Sequence, residues 1–112
     1  MTELTKDADK MLCCLYKEYL QRIKSGNSKN ASKLFNIEYT RTDNVLSQWH
    51  NDDVLATRNE LSKKGLLKAY VSGNFELTDE AVSYMENRFK NGLIDVIKYL
   101  ADLAADIAVS LI

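Results

Sequence analysis

No proline occurs in the 112 residues, and glycine stands at only four positions, Gly26, Gly65, Gly73 and Gly92. Proline breaks a helix by removing a backbone donor and clashing with the preceding turn, and glycine loosens it. A chain with so few of either runs in helices wherever its apolar residues recur every 3.6 positions, and its glycines mark element ends. The expectation is a mainly α protein. At this length it is a single domain, 1–112, with one core. Apolar residues at 46% and charged residues at 28% exclude disorder and low-complexity scaffolds.

Asp7 to Ser25 has the first helical period, with Leu12, Leu15, Tyr16, Tyr19 and Ile23 on one face and Lys10, Lys17, Gln21 and Lys24 opposite. Met11, Cys14 and Leu20 widen its apolar part, which predicts packing on two sides, against the core and a second subunit. A short second helix over Ser28 to Phe35, capped by Asn27 or Ser28, buries Ala31, Leu34 and Phe35 and points Lys29 and Lys33 outward. Asn36 to Asn51 is irregular, with one helical turn at Val45, Leu46 and Trp49 started by Thr42 or Asp43.

Asp52 or Asp53 opens a third helix, with Val54, Leu55, Arg58 and Leu61 inward and Lys63-Lys64-Gly65 as its basic, glycine-terminated end. The period then becomes two. Leu67, Ala69 and Val71 alternate with Lys68, Tyr70 and Ser72, and Phe75-Glu76-Leu77 follow Gly73-Asn74, which predicts a tight, small two-stranded β-hairpin. Thr78-Asp79-Glu80 caps a fourth helix carrying Ala81, Val82, Tyr84, Met85 and Phe89. A long C-terminal helix covers about 92–112. Its Leu93, Ile97, Leu100, Ala104, Ile107 and Leu111 step by 4, 3, 4, 3 and 4, the seam of a coiled coil, widened by Ile94, Ala101 and Ala108. This seam predicts dimerisation with a second copy.

Net charge is −1, so bulk charge does not make the chain a polyanion binder. Its distribution is uneven: from Arg22 to Arg41 five basic residues face one acid, while from Glu76 onward seven acids face three bases. Cys13 and Cys14 are adjacent and read as core residues, since neighbours about 100° apart on a helix suit neither a disulfide nor a metal clamp. The N-terminus lacks a secretory signal, which with unpaired thiols predicts a cytoplasmic protein. Asp95, Lys98, Asp102 and Asp106 argue against a membrane span in the last helix. His50 stands without a second histidine or cysteine near enough for metal or catalytic work, so the expectation is no enzyme and no cofactor. Trp49 anchors the irregular connection to the core, with a ligand pocket between it and the first helix as the alternative.

Helix, short helix, helix, hairpin, helix is the order of a winged-helix domain. Leu61-Ser62-Lys63-Lys64-Gly65-Leu66-Leu67 resembles that superfamily's recognition-helix end, and Phe75-Glu76-Leu77-Thr78-Asp79-Glu80-Ala81 is similar to its junction from wing to next helix, with Ala81 where a glycine is usual. The resemblance covers a core of about residues 8–90. The long helix after it resembles small bacterial transcriptional regulators of the multiple-antibiotic-resistance and phenolic-acid-decarboxylase types. It implies a homodimer that binds duplex DNA. Phosphate contacts would then come from Lys24, Lys29, Asn30, Lys33 and Arg41, base contacts from Ala56, Asn59 and Lys63, and wing contacts from Lys68 and Asn74. The chain departs from the family in two places: a long connection, Asn36 to Asn51, replaces a tight turn, and Asp52, Asp53 and Glu60 make the third helix partly acidic. These features favour the alternative, a winged-helix module for protein–protein contact.

Overall fold

The Thr5 hydroxyl accepts the Ala8 amide at 3.2 Å and starts helix α1 (Lys6–Lys24). The computed structural model containing it describes the backbone of residues 3–110 and the side chains of residues 3–103. At the far end Gly26 takes φ +105°, and the Asn27 amide donates to Arg22 O at 3.1 Å while the Gly26 amide donates to Ile23 O at 3.0 Å, closing a Schellman motif. All four glycines have positive φ, as element ends require. Buried residues run round α1 from Ala8 through Met11, Leu12, Cys13, Cys14, Leu15 and Tyr16 to Tyr19. The helix therefore lies at the centre of the domain, packed against the rest of its own chain.

The second helix is shorter than its apolar residues predict. Ser28 caps it as expected, its hydroxyl accepting from Ala31 N at 3.1 Å, but α2 (Lys29–Ser32) is one turn long and Ala31 is exposed. Leu34 and Phe35 leave the helix and form strand β1 (Leu34–Phe35). The connection behind it holds α3 (Tyr39–Thr42) and a 3-10 turn at Leu46–Gln48. Asp43 starts that turn: its Oδ2 accepts the amides of Val45 and Leu46 at 2.9 and 3.0 Å. Leu46 is buried, and Val45 and Trp49 pack against the core.

Helix α4 (Asn51–Lys63) begins one residue before the two aspartates, because His50 is its cap: Nδ1 accepts from Asp52 N at 3.1 Å. Val54, Thr57 and Leu61 face inward, whereas Leu55, expected inside, is 54% exposed. Gly65 ends the helix at φ +77°, with Leu66 N donating to Leu61 O at 2.9 Å and both leucines fully buried.

The expected two-stranded hairpin is a three-stranded antiparallel sheet. Strands β2 (Leu67–Ala69) and β3 (Phe75–Leu77) pair as predicted, and β1 adds to the other edge of β3, in the order β1-β3-β2. Leu34 pairs with Glu76 and Phe35 with Phe75, and the two phenylalanine rings stack at 5.4 Å. This stacked pair across the strands outweighs the helical option for Leu34 and Phe35. The hairpin turn also shifts. Tyr70 N donates to Asn74 O and Gly73 N to Tyr70 O, so the loop is Val71-Ser72-Gly73, with Gly73 at φ +94°. Val71 sits fully exposed at its tip, and the expected alternation fails beyond Leu67 because Ala69 is exposed too.

The two segments that carry the winged-helix resemblance meet in space. Thr78 donates through Oγ1 to Gly65 O at 2.7 Å and through its amide to Leu66 O at 3.2 Å, and the same hydroxyl accepts from Ala81 N to cap α5 (Asp79–Arg88). Helix α6 (Leu93–Ser110) then crosses back over α1, burying Val96 completely. The core thus extends beyond residue 90 into the last helix.

Candidate nucleic-acid interface

Helix α4 and the hairpin are fastened to each other by Arg58. Its guanidinium lies 4.5 Å from the centre of the Phe75 ring and donates through Nη2 to Gly73 O at 2.8 Å, so one side chain on α4 holds both a strand and the tip of the loop. On the other side of the tip, Ile37 fills the space a side chain at residue 73 would need, and the Asn74 side chain accepts from Ile37 N at 2.9 Å. The side-chain oxygen of Asn74 therefore closes the loop. The groove between α4 and β2 is a crevice of about 80 Å³ bordered by Leu55, Asn59 and Ala69, too small for an organic ligand.

Ala56, Asn59 and Lys63 are exposed on α4, and Lys68 is exposed on β2. Asp52 and Asp53 are exposed at the start of the same helix, next to Leu55. Their charge complements the helix dipole but opposes phosphate.

The basic segment is less available than its count suggests. Arg22 faces inward: it bonds Glu18 at 2.9 Å, donates to Leu34 O at 2.6 Å and lies 4.3 Å from the Phe35 ring centre. Lys33 pairs with Asp79 at 2.7 Å, and that hydrogen bond raises the lysine's pKa and lowers the aspartate's. Arg41 pairs with Glu38 at 3.0 Å. Lys24, Lys29 and Asn30 are exposed, and among the described residues neither lysine has an acidic partner.

The seam of the last helix divides. Val96, Tyr99 and Leu100 turn toward the body, and Leu93 and Leu103 are half-buried, whereas Ile97 is 45% exposed and its neighbour Ile94 is 64% exposed. The inward face is spaced i, i+3 and i+4 from Val96, a helical period that the heptad steps of the same helix mask. Ala104 and Ile107 lie on α6 where side chains are outside the described residues, and Leu111 is outside them altogether.

Sequence reasoning missed the clasp that seats α6. Asp9 on α1 accepts hydrogen bonds from Arg88, one of them at 3.0 Å, and from the Tyr99 hydroxyl. Burial alone would raise the Asp9 pKa, but the Arg88 and Tyr99 bonds outweigh it and hold the carboxyl below its ordinary value. The Arg88 guanidinium also lies against both Phe89 and Tyr99, with ring centroids 4.8 and 4.6 Å away. Burial pushes both cysteine thiols up to about 12, so they stay protonated and unreactive.

Beside α1 a cavity of about 330 Å³ opens where a pocket with Trp49 was the alternative; its wall is made by Tyr39 to Val45 rather than by Trp49. No helix among the described residues is long and apolar enough to cross a membrane. Comparison of the chain with protein-family models, with curated proteins and with solved structures finds no match to any of them.

Proposed function

We propose that the chain is a duplex-DNA-binding protein of winged-helix type, acting as a homodimer in transcriptional control. The observation that supports this reading most is the Arg58 fastening: the outer face of α4, with Ala56, Asn59 and Lys63, and the hairpin carrying Lys68 are presented as one rigid unit. Asparagine and lysine can read base edges, and a rigid pair of helix and hairpin avoids the ordering cost of binding. The open Ile94 and Ile97 on α6 supply the apolar surface for pairing two such units.

The test is a mobility-shift titration with mixed-sequence duplex at two salt concentrations. Affinity falls steeply with salt if lysines displace counterions, and Lys63→Ala with Lys68→Ala lowers the slope by about one or two units. Asn59→Ala changes sequence preference more than affinity for random DNA. A chain that fails to shift duplex at low salt is not a DNA binder.

A second reading has its own support. The exposed Asp52, Asp53 and Leu55 on α4 suit a protein surface better than a phosphate backbone, as does the apolar loop tip at Val71. Under that reading the same α4 and hairpin unit docks a protein, and binding survives Lys68→Ala but not Leu55→Asp.

A further inference from the structure

Strand β2 is an outer strand of the sheet, and its free edge borders α4. Thr78 N donates to Leu66 O and Tyr70 N to Asn74 O, so residues 66, 68 and 70 turn their backbone groups toward β3. Leu67 and Ala69 turn theirs the other way, where no strand among the described residues meets them. An uncovered edge is a template for one more strand.

Beside that edge lies the crevice of about 80 Å³, walled by Leu55 and Asn59 of α4 and by Leu67, Ala69 and Phe75 of the sheet. It is the size for one side chain, and the exposed Leu55 gives it an apolar rim. The charges around it differ from end to end. Arg58 reaches Gly73 at the loop tip, so Asp52, earlier in α4 on the stripe of Leu55 and Asn59, stands at the tip end. Asp52 is exposed, and the basic group beside it is the His50 imidazole, whose Nδ1 is taken up as an acceptor of the Asp52 amide. Lys68 is exposed on the opposite face of β2 from Leu67 and Ala69, and has no acidic partner among the described residues.

A strand laid antiparallel on β2 starts at the tip end and alternates its side chains between the crevice and the Lys68 face. It is complementary when it begins basic, beside Asp52, and then sets apolar residues opposite Ala69 and Leu67 with an acid between them, opposite Lys68. A second copy of β2 does not fit, because twofold pairing of all three residues sets Lys68 against Lys68.

We propose that the free edge of β2 takes up a short extended segment of a partner protein, basic at its start and then apolar, acidic and apolar, with one apolar side chain in the crevice beside Leu55. This rests on the protein-contact reading of the α4 and hairpin unit and names how that unit holds its partner, through the backbone of Leu67 and Ala69.

The test titrates the peptide acetyl-Lys-Lys-Thr-Val-Glu-Val-Thr-amide into the isotope-labelled full chain and follows amide shifts and amide hydrogen exchange. Saturable shifts are expected at Leu55 and Val71, with exchange of the Ala69 amide slowed about tenfold at roughly nine-tenths occupancy. The peptide N-methylated at both valines keeps its side chains, loses two donors and is expected to bind at least about tenfold more weakly. Glu-Glu in place of Lys-Lys weakens binding about threefold, and Leu55→Asp, at an exposed position, weakens it about tenfold. Shifts at Leu55 with unslowed Ala69 exchange, or equal binding of the N-methylated peptide, overturn strand addition and leave the protein-contact reading standing. No saturable shift on α4 or the hairpin overturns the proposal and counts against that reading too. Slowing at Ala69 that grows with chain concentration in the absence of peptide overturns the proposal in favour of a second copy.

Discussion

Helices α1 and α6 are nearly equal in length, at 19 and 18 residues, and both carry apolar side chains well beyond a single stripe. The surplus is resolved in opposite ways. Around α1 the chain supplies its own cover, and eight residues from Ala8 to Tyr19 are buried. Over the described side chains of α6 the cover lies on one side: Val96 is sealed against the body while Ile94 and Ile97 remain in solvent. An apolar surplus in a sequence therefore does not by itself say which sides of a helix its own chain will cover.

The largest effect follows from removing α1's packing. Leu15→Ala leaves a void in a fully enclosed site and is expected to cost about 2–5 kcal/mol in urea unfolding, whereas Ile94→Ala on the open side of α6 stays within about 0.5 kcal/mol for the monomer. Equal losses at the two sites would mean that Ile94 is covered after all.

Next comes the clasp that joins the two helices. Asp9→Asn leaves Arg88 short of its charged partner, and since both are partly exposed the expected loss is about 1–2 kcal/mol. The pH dependence has a definite sign. The folded Asp9 pKa is depressed, so its stabilisation is present above the unfolded value of about 4 and is lost as pH falls through the lower folded value. Urea midpoints across that acid range should fall less steeply with pH in Asp9→Asn than in the parent chain; parallel curves would remove Asp9 from the acid response.

Ile94→Asp together with Ile97→Asp should barely change monomer stability and yet abolish pairing, which sedimentation reads as the 12.8 kDa mass of one chain. Leu100 is not the residue to change for this purpose, because it packs against the body. A double variant that still sediments as a dimer would place the contact elsewhere. The smallest effect is expected at Lys33→Ala: its lysine is already paired with Asp79, so the salt slope of DNA binding should change less than in Lys29→Ala, where it falls by about one unit. The reverse order would mean that the pair opens on binding.

Much of the fold was legible because its signals are local. Gly26 and Gly65 end helices through bonds reaching no further than six residues, and Thr78 caps α5 within its own turn. His50 is not legible as a cap, because serine, threonine, aspartate and asparagine are the residues that usually cap a helix and Asp52 and Asp53 follow it directly. Of the proposed interface, the exposure of Ala56, Asn59 and Lys63 followed from helical period once α4 was placed. The disposition of the basic residues did not, since Lys33 meets Asp79 and Arg22 meets the Phe35 ring only after distant segments have come together.

The sequence by itself determined that this chain is mainly helical, that α1 and α4 stop at Gly26 and Gly65, and that α1 carries apolar residues beyond a single stripe. These are properties of backbone freedom and of side-chain period, and neither depends on a distant partner. Only the tertiary structure decided that Leu34 and Phe35 form a strand, that Asn74 closes a loop, and which side of α6 lies on the body. Leu34 and Phe35 take their conformation from pairing with Glu76 and Phe75, and α6 takes its rotation from the Asp9, Arg88 and Tyr99 clasp. In each case the deciding bond joins residues far apart along the chain, and its strength exists only once the core has brought them within reach.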